Sequence, residues 1–177
     1  MSLPITVLQA ADAARIEDHL LRLDPVDRSL RFAAGVVTDE TIRRYVAGIR
    51  FGTDAVLGVE EGGALIAFAH GCVYSVGKRA RVEVAFSVDA RRRGEGIASA
   101  LMAQTRRFAE SIGAHSVLGM CLARNAPMRQ IFANAGMTMT REEDEVHACC
   151  AVASRRRDDG AERDASRASL EEVELSA

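Results

Sequence analysis

No apolar run in this chain reaches the ~18 residues that a membrane span needs, so no membrane partner is expected. The opening segment MSLPITVLQAADAAR lacks the basic-then-apolar layout of a secretory signal, and the expected location is the cytoplasm. An excess of charge of one sign is missing too. The 23 basic and 25 acidic residues leave a net charge of −2. Ser154–Ala177 holds five arginines and seven acidic residues, which accounts for that imbalance and leaves the rest of the chain neutral. A neutral body lacks the long-range field that draws nucleic acid, so no nucleic-acid partner is expected. Cys72, Cys121, Cys149 and Cys150 show no CxxC spacing, and His19, His70, His115 and His147 are scattered. Neither set makes a zinc-type cluster, so no metal is expected. The cysteines read as small buried hydrophobes.

What is present suits one domain. The chain has 177 residues, 48% of them hydrophobic, enough to bury a single core. Ile5–Gln9 alternates like a short strand. Ala13, Ile16, Leu20 and Leu23 recur at helical spacing within Ala11–Leu23, and Asp24-Pro25 reads as the stop. Pro25–Val37 reads as an irregular loop, and Thr38–Ile49 as a second helix. From Asp54 the period changes to that of strands: Asp54–Glu60, Ala64–Tyr74 and Arg81–Val88, the first two joined by a tight turn at Gly62-Gly63. A long helix is expected to Ile112, a strand at His115–Leu122 and a short helix capped by Asn125 with Pro127 in its first turn. Met137–Thr140 and Glu145–Ala153 form a last hairpin. The order β-α-α-β-β-β-α-β-α-β-β predicts an α+β domain over residues 1–153, with about seven strands and about four helices. Residues 154–177, charged and without aromatics, read as a flexible tail.

The informative stretch is Arg81–Leu101, where a strand runs through the glycine-rich turn RGEGIA into a helix. Such a turn exposes consecutive N–H groups at the positive end of a helix and suits a phosphate or pyrophosphate. Gly94 and Gly96 admit a bulky anion to the backbone, and Arg91, Arg92 and Arg93 add charge. Two nucleotide motifs are excluded. GxxxxGK[ST] is absent, and Ser99 stands where GxGxxG needs its last glycine.

Arg93, Gly96 and Ala98 fall on the defined positions of the Q/R-x-x-G-x-G/A acetyl-CoA signature, and the block resembles the GCN5-related N-acetyltransferase (GNAT) superfamily. The likeness runs from Ile5 to Ala153 and is strongest from Val82 to Met137. It implies a sheet splayed between the strands at 82–88 and 115–122. Pantetheine would lie along Phe86, Ser87 and Val88. Pyrophosphate would sit on Arg93, Gly94, Glu95, Gly96, Ile97 and Ala98, with Ser99 adding a hydroxyl. Asn125 matches a position that contacts the cofactor, and reads equally well as a helix cap. The likeness also implies acetyl-CoA as co-substrate and an amine acceptor, protein or small molecule. A homodimer through the C-terminal strands suits such a fold.

Acetyl transfer needs a neutral amine. A lysine of pKa about 10.4 is neutral in only ~1 part in 10³–10⁴ at pH 7, a deficit of roughly 4–5 kcal/mol, so a general base is expected. Glu83, on the polar alternation of the cofactor strand, is the candidate. Val82–Phe86 is similar to the segment of bacterial protein-lysine acetyltransferases in which this Glu is the base. The bland reading is a solvent-facing Glu paired with Arg81 or Lys78. Leu23–Phe32 resembles the L-x-P-x-D-R-x-x-R-F stretch that walls the acceptor site in those enzymes, and reads equally as a helix linker. One departure stands out: no tyrosine follows Asn125 in the short helix to protonate the leaving thiolate. Phe132 stands there, able to pack against pantetheine but without a proton to give. Cys121, His70 and His147 read as structural residues. The expected activity is direct acetylation of a primary amine. A small-amine acetyltransferase (polyamine or aminoglycoside-like) and a non-catalytic acyl-CoA-binding module are the alternatives.

Overall fold

The computed structural model describes residues 4–152; Ala153 and the segment 154–177, expected to be a tail, lie outside them. Seven strands form one sheet: β1 (Ile5–Val7), β2 (Ala55–Glu61), β3 (Ala64–Val76), β4 (Arg79–Val88), β5 (Ser116–Leu122), β6 (Thr138–Glu142) and β7 (Glu145–Ala151). They are ordered β1-β2-β3-β4-β5-β7-β6. All neighbours are antiparallel except β4 and β5, which run parallel because the helix between them carries the chain back.

Among the described residues five α-helices flank the sheet: α1 (Ala13–Leu21), α2 (Pro25–Phe32), α3 (Asp39–Ala47), α4 (Ile97–Ser111) and α5 (Ala126–Asn134). The expected count of four missed α2, since Pro25–Val37 read as a loop. Asp24 caps this helix instead of ending the previous one. Its carboxylate accepts the Asp27 N–H at 2.8 Å, and Pro25 sits in the first turn, where no N–H is needed. Ala33, left-handed at φ 47°, closes it after two turns.

The helices divide the core. Leu101, Met102 and Ala109 of α4 and Phe132 of α5 bury against Val82, Val84, Val117 and Ala148 on one face. Ile16 and Leu20 of α1, with Ile42 and Val46 of α3, bury against Val56, Leu65 and Phe68 on the other. Full burial of an Ile or Leu contributes roughly 1.5–3 kcal/mol. Alternation along β4 sends Val82, Val84 and Phe86 toward α4, and Glu83, Ala85 and Ser87 toward α1–α3.

The parallel ladder between β4 and β5 stops early. Its last partners are Val84 and Gly119. Beyond them β4 stays with β3 as far as Val88–Ala67, and β5 stays with β7 as far as Leu122–Glu145. The two middle strands therefore part, as the splay implied by the sequence resemblance requires.

Candidate active site

A cleft of about 640 Å³ fills this parting. β4 contributes Ala85, Phe86, Ser87 and Val88, and β5 contributes Met120 and Cys121; the turn after β4, α2 and α5 close the sides. The edge of β4 toward the cleft is set by its hydrogen bonds. The Ala80 carbonyl accepts the His115 N–H on the β5 side, and the Asp89 N–H donates to the Ile66 carbonyl on the β3 side. Since successive residues of a strand alternate edges, Phe86 and Val88 present their N–H and C=O groups to the cleft. Phe86 and the N–H of Val88 can pair there with a linear amide chain, whereas the Val88 carbonyl accepts from Arg93 Nε at 3.3 Å.

At the mouth lies the turn between β4 and α4. Gly94 and Gly96 both stand at φ 79°, a conformation that glycine alone adopts without strain. Ala100 is the first residue past the turn whose N–H finds a protein acceptor, the Gly96 carbonyl at 3.0 Å. Among the described residues, the N–H groups of residues 93–99 have none. A row of unpaired donors at the positive end of a helix is an anion cradle. Arg93, Gly94, Gly96, Ile97, Ala98 and Ser99 line the cleft.

The arginines divide their work. Arg92 is paired with Glu95 at 2.8 Å and with Glu61. The pairing raises the Arg92 pKa and lowers that of Glu95, so Glu95 braces Arg92 and is not on the cleft wall. Arg93 donates to Asp27 of α2 at 2.5 Å and to the Val88 carbonyl at 3.3 Å.

Asn125 fulfils both of its readings at once. Its carbonyl oxygen caps α5 by accepting the Met128 N–H at 3.2 Å, and the residue also lines the cleft. Phe132 is placed elsewhere. It is fully buried in the core, its ring against the backbone of Gly119, and is not part of the cleft wall. Cys121 does line the cleft, but burial pushes its thiol pKa up, away from the thiolate a nucleophile requires.

Glu83 lies one repeat before Ala85 on the same face, about 7 Å from it, outside the cleft lining. Its carboxylate is exposed and pairs with neither Arg81 nor Lys78 among the described residues. Its lateral neighbours are Cys72 on β3 and Leu118 on β5.

Two polar networks on this face were not evident in the sequence. Ser87, on the cleft wall, meets the fully buried His19 with Oγ 2.9 Å from Nε2. Nδ1 of His19 faces the Leu65 carbonyl at 3.0 Å; a carbonyl only accepts, so Nδ1 carries the proton and Ser87 donates to Nε2. Burial lowers the His19 pKa and keeps the ring neutral, Asp89 at 3.4 Å opposing only in part. The second network runs Arg31–Tyr45–His70–Asp54. Arg31 Nη2 donates to the Tyr45 oxygen at 2.6 Å, the Tyr45 hydroxyl donates to His70 Nδ1 at 2.8 Å, and His70 Nε2 donates to Asp54 at 3.1 Å. Burial raises the Tyr45 pKa and lowers that of His70. Asp54 resists its own burial, since N–H donors from Val73, His70 and Arg50 hold its pKa low. These partners lie 14 to 25 residues apart, so only their residue types, not their meeting, were visible in the chain.

Residues 24–137 match the profile of the acetyltransferase (GNAT) family. The chain belongs to the GNAT family. Solved GNAT structures share its fold. The GNAT domain of S. lividans PAT matches with a TM-score of 0.70 at 23% identity, over 83% of this chain and 89% of that one. The structure of yncA from Salmonella typhimurium with its cofactor acetyl-CoA matches at 0.67 and 17%, over 90% and 99%. A GNAT-superfamily phosphinothricin acetyltransferase from Sinorhizobium meliloti, also in complex with acetyl-CoA, matches at 0.66 and 14%, over 86% and 89%. Among curated proteins, none matches. This protein is an acetyltransferase by family, and its own residues fit acetyl-CoA as co-substrate: an unpaired donor row for the pyrophosphate, an open strand edge for the pantetheine amides and a cleft joining the two. Among the described residues no helix is long and apolar enough to cross a membrane, and no His/Cys/Asp/Glu group is placed to hold a metal.

Proposed function

We propose that this GNAT enzyme acetylates a primary amine by direct transfer, with Glu83 as general base and protein lysine as the acceptor class. The observation that carries the reading is the placement of Glu83, a carboxylate unpaired among the described residues and one strand repeat from Ala85 of the cleft wall. Acetyl-CoA supplies the activated carbonyl carbon. Glu83 takes the proton of the incoming ammonium through a water, a role typically worth ~10²–10⁴ in rate. A backbone N–H of Phe86 or Val88 faces the carbonyl oxygen as it gains charge. Gly94–Ser99 hold the phosphates. No tyrosine stands on α5, so a water from the open mouth returns the proton to the departing thiolate. The lysine preference rests on the similarity of Val82–Phe86 and Leu23–Phe32 to segments of protein-lysine acetyltransferases. The edge strand β6, exposed along all five residues, supports a homodimer through the C-terminal strands.

Glu83→Gln tests this. With lysine peptides, polyamines and aminoglycosides offered as acceptors, turnover on the best of them falls about 100-fold or more, while acetyl-CoA affinity by calorimetry stays within twofold. A variant that keeps full turnover places the base elsewhere. A parent that binds acetyl-CoA and acetylates no amine at all supports the binding-module alternative.

A further inference from the structure

Arg31 sits on the cleft wall where α2 overhangs Ala85. It lies one helical turn, about 6 Å, beyond Asp27. Asp27 pairs with Arg93 of the phosphate turn, and Arg31 lines the same cleft one turn farther along α2. Its guanidinium is held by a fixed frame. Nη2 donates to Tyr45, which is locked in turn by His70 and Asp54. The rings of Phe32 and Tyr45 lie 5.1 and 5.2 Å from its central carbon.

What the guanidinium lacks is an anion. No carboxylate pairs with it among the described residues, in contrast to Arg15, Arg28, Arg50, Arg92 and Arg93. Its Nε is buried without any hydrogen-bond partner. Among the described residues Nη1 takes no hydrogen-bond partner either, and the residue lines the cleft. A pre-oriented cation whose Nε is buried and unpartnered is costly to leave without an anion, and a planar guanidinium on a rigid mount is the geometry that binds a carboxylate.

We infer that Arg31 is an acceptor-recognition residue, binding a carboxylate that the acceptor carries close to its reacting amine. The inference rests on the proposed amine-acetylating role of the same cleft. Glu83 draws the ammonium and Arg31 the carboxylate, so the acceptor presents both charges. The carboxylate comes either from a free amino acid or from an acidic side chain flanking a lysine. Both offer the same group to Arg31.

The test compares matched acceptors with the full-length enzyme. One arm pairs free amino acids with their amides. The other pairs lysine peptides carrying Asp or Glu beside the lysine with the same peptides carrying Asn or Gln. The wild-type enzyme favours the carboxylate member of at least one arm by about tenfold or more in kcat/KM, the size expected of a hydrogen bond between charged groups, with the difference expressed in KM. The arm that shows the preference identifies the source. Arg31→Gln brings the ratio to within about threefold of one, and Arg31→Lys restores part of it. Equal use of both members in both arms by the wild type overturns the inference and leaves the Glu83 reading standing. So does an Arg31→Gln variant that depresses both members alike, which assigns Arg31 to acetyl-CoA. A protein that acetylates no member of any pair overturns both readings.

Discussion

Arg93 and Asp27 form an ion pair, 2.5 Å between Nη2 and Oδ2, that ties the phosphate turn to α2 across 66 residues of sequence. The same guanidinium reaches the Val88 carbonyl at 3.3 Å, so one side chain fixes the turn, the strand end and the acceptor wall together. Asp27 is mostly buried and Arg93 half-exposed, which places the pair above a typical surface bridge in value, near 1 kcal/mol. Asp27→Asn is expected to lower Tm by about 2–4 °C by calorimetry. An unchanged Tm means the brace carries no energy.

Gly96 separates strain from blockage. A Cβ there meets nothing within 4 Å, yet φ is +79°, so Gly96→Ala pays only the left-handed penalty of roughly 1 kcal/mol. Gly96→Glu adds a carboxylate beside the donor row. Acetyl-CoA binding by titration calorimetry is expected to weaken severalfold in the first variant and beyond about 100-fold in the second. Equal binding by parent and Gly96→Glu would remove the cradle assignment.

Gly119 is constrained from the other side. A Cβ there lies 2.5 Å from the Phe132 ring, which is fully buried and has no room to retreat. Gly119→Ala is therefore expected to destabilise by about 1–3 kcal/mol, read as a lower midpoint in urea with unchanged slope. Full stability would show that α5 shifts freely on the sheet.

Acid stability follows from two buried imidazoles. Desolvation lowers the pKa of His19 and of His70 in the folded protein, outweighing Asp89 in one case and Asp54 in the other. The unfolded chain takes up these protons near pH 6.5, the folded chain only at lower pH. The stability they contribute is thus fully present above pH 6.5 and is lost as pH falls below it, by up to about 1.4 kcal/mol per pH unit for each ring. Tm measured between pH 7.5 and 5.5 is expected to fall. A flat profile would mean both rings protonate as easily folded as unfolded.

The sequence was most legible where meaning is local. Arg93–Ala98 carries its conformation in two glycines, and the strand before it and the helix after it announce themselves by period. Asn125-Ala126-Pro127 likewise marks its helix in three residues. The α2 helix escaped because two turns offer too few apolar repeats to show a period, and because Asp24-Pro25 serves either as a stop or as a cap with a first-turn proline. Phe132 sits in the expected helix, but which way its ring points depends on Gly119, thirteen positions earlier in the chain. The Arg31–Tyr45–His70–Asp54 network needs α2, α3, β3 and the loop before β2 to converge, and no spacing rule foretells that.

The early end of the β4–β5 ladder leaves the middle of the sheet with two unpaired borders facing each other. Elsewhere such borders invite another chain to pair and so promote aggregation; here they lie in a cleft walled by α2 and α5. Among the described residues the β4–β5 ladder has four residue pairs, with the His115 N–H to Ala80 carbonyl bond beside it, so a molecule lying between Phe86 and Cys121 completes the missing rungs. Its arrival should slow amide hydrogen exchange at Phe86 and Val88, and the substrate becomes for a moment a part of the scaffold that binds it.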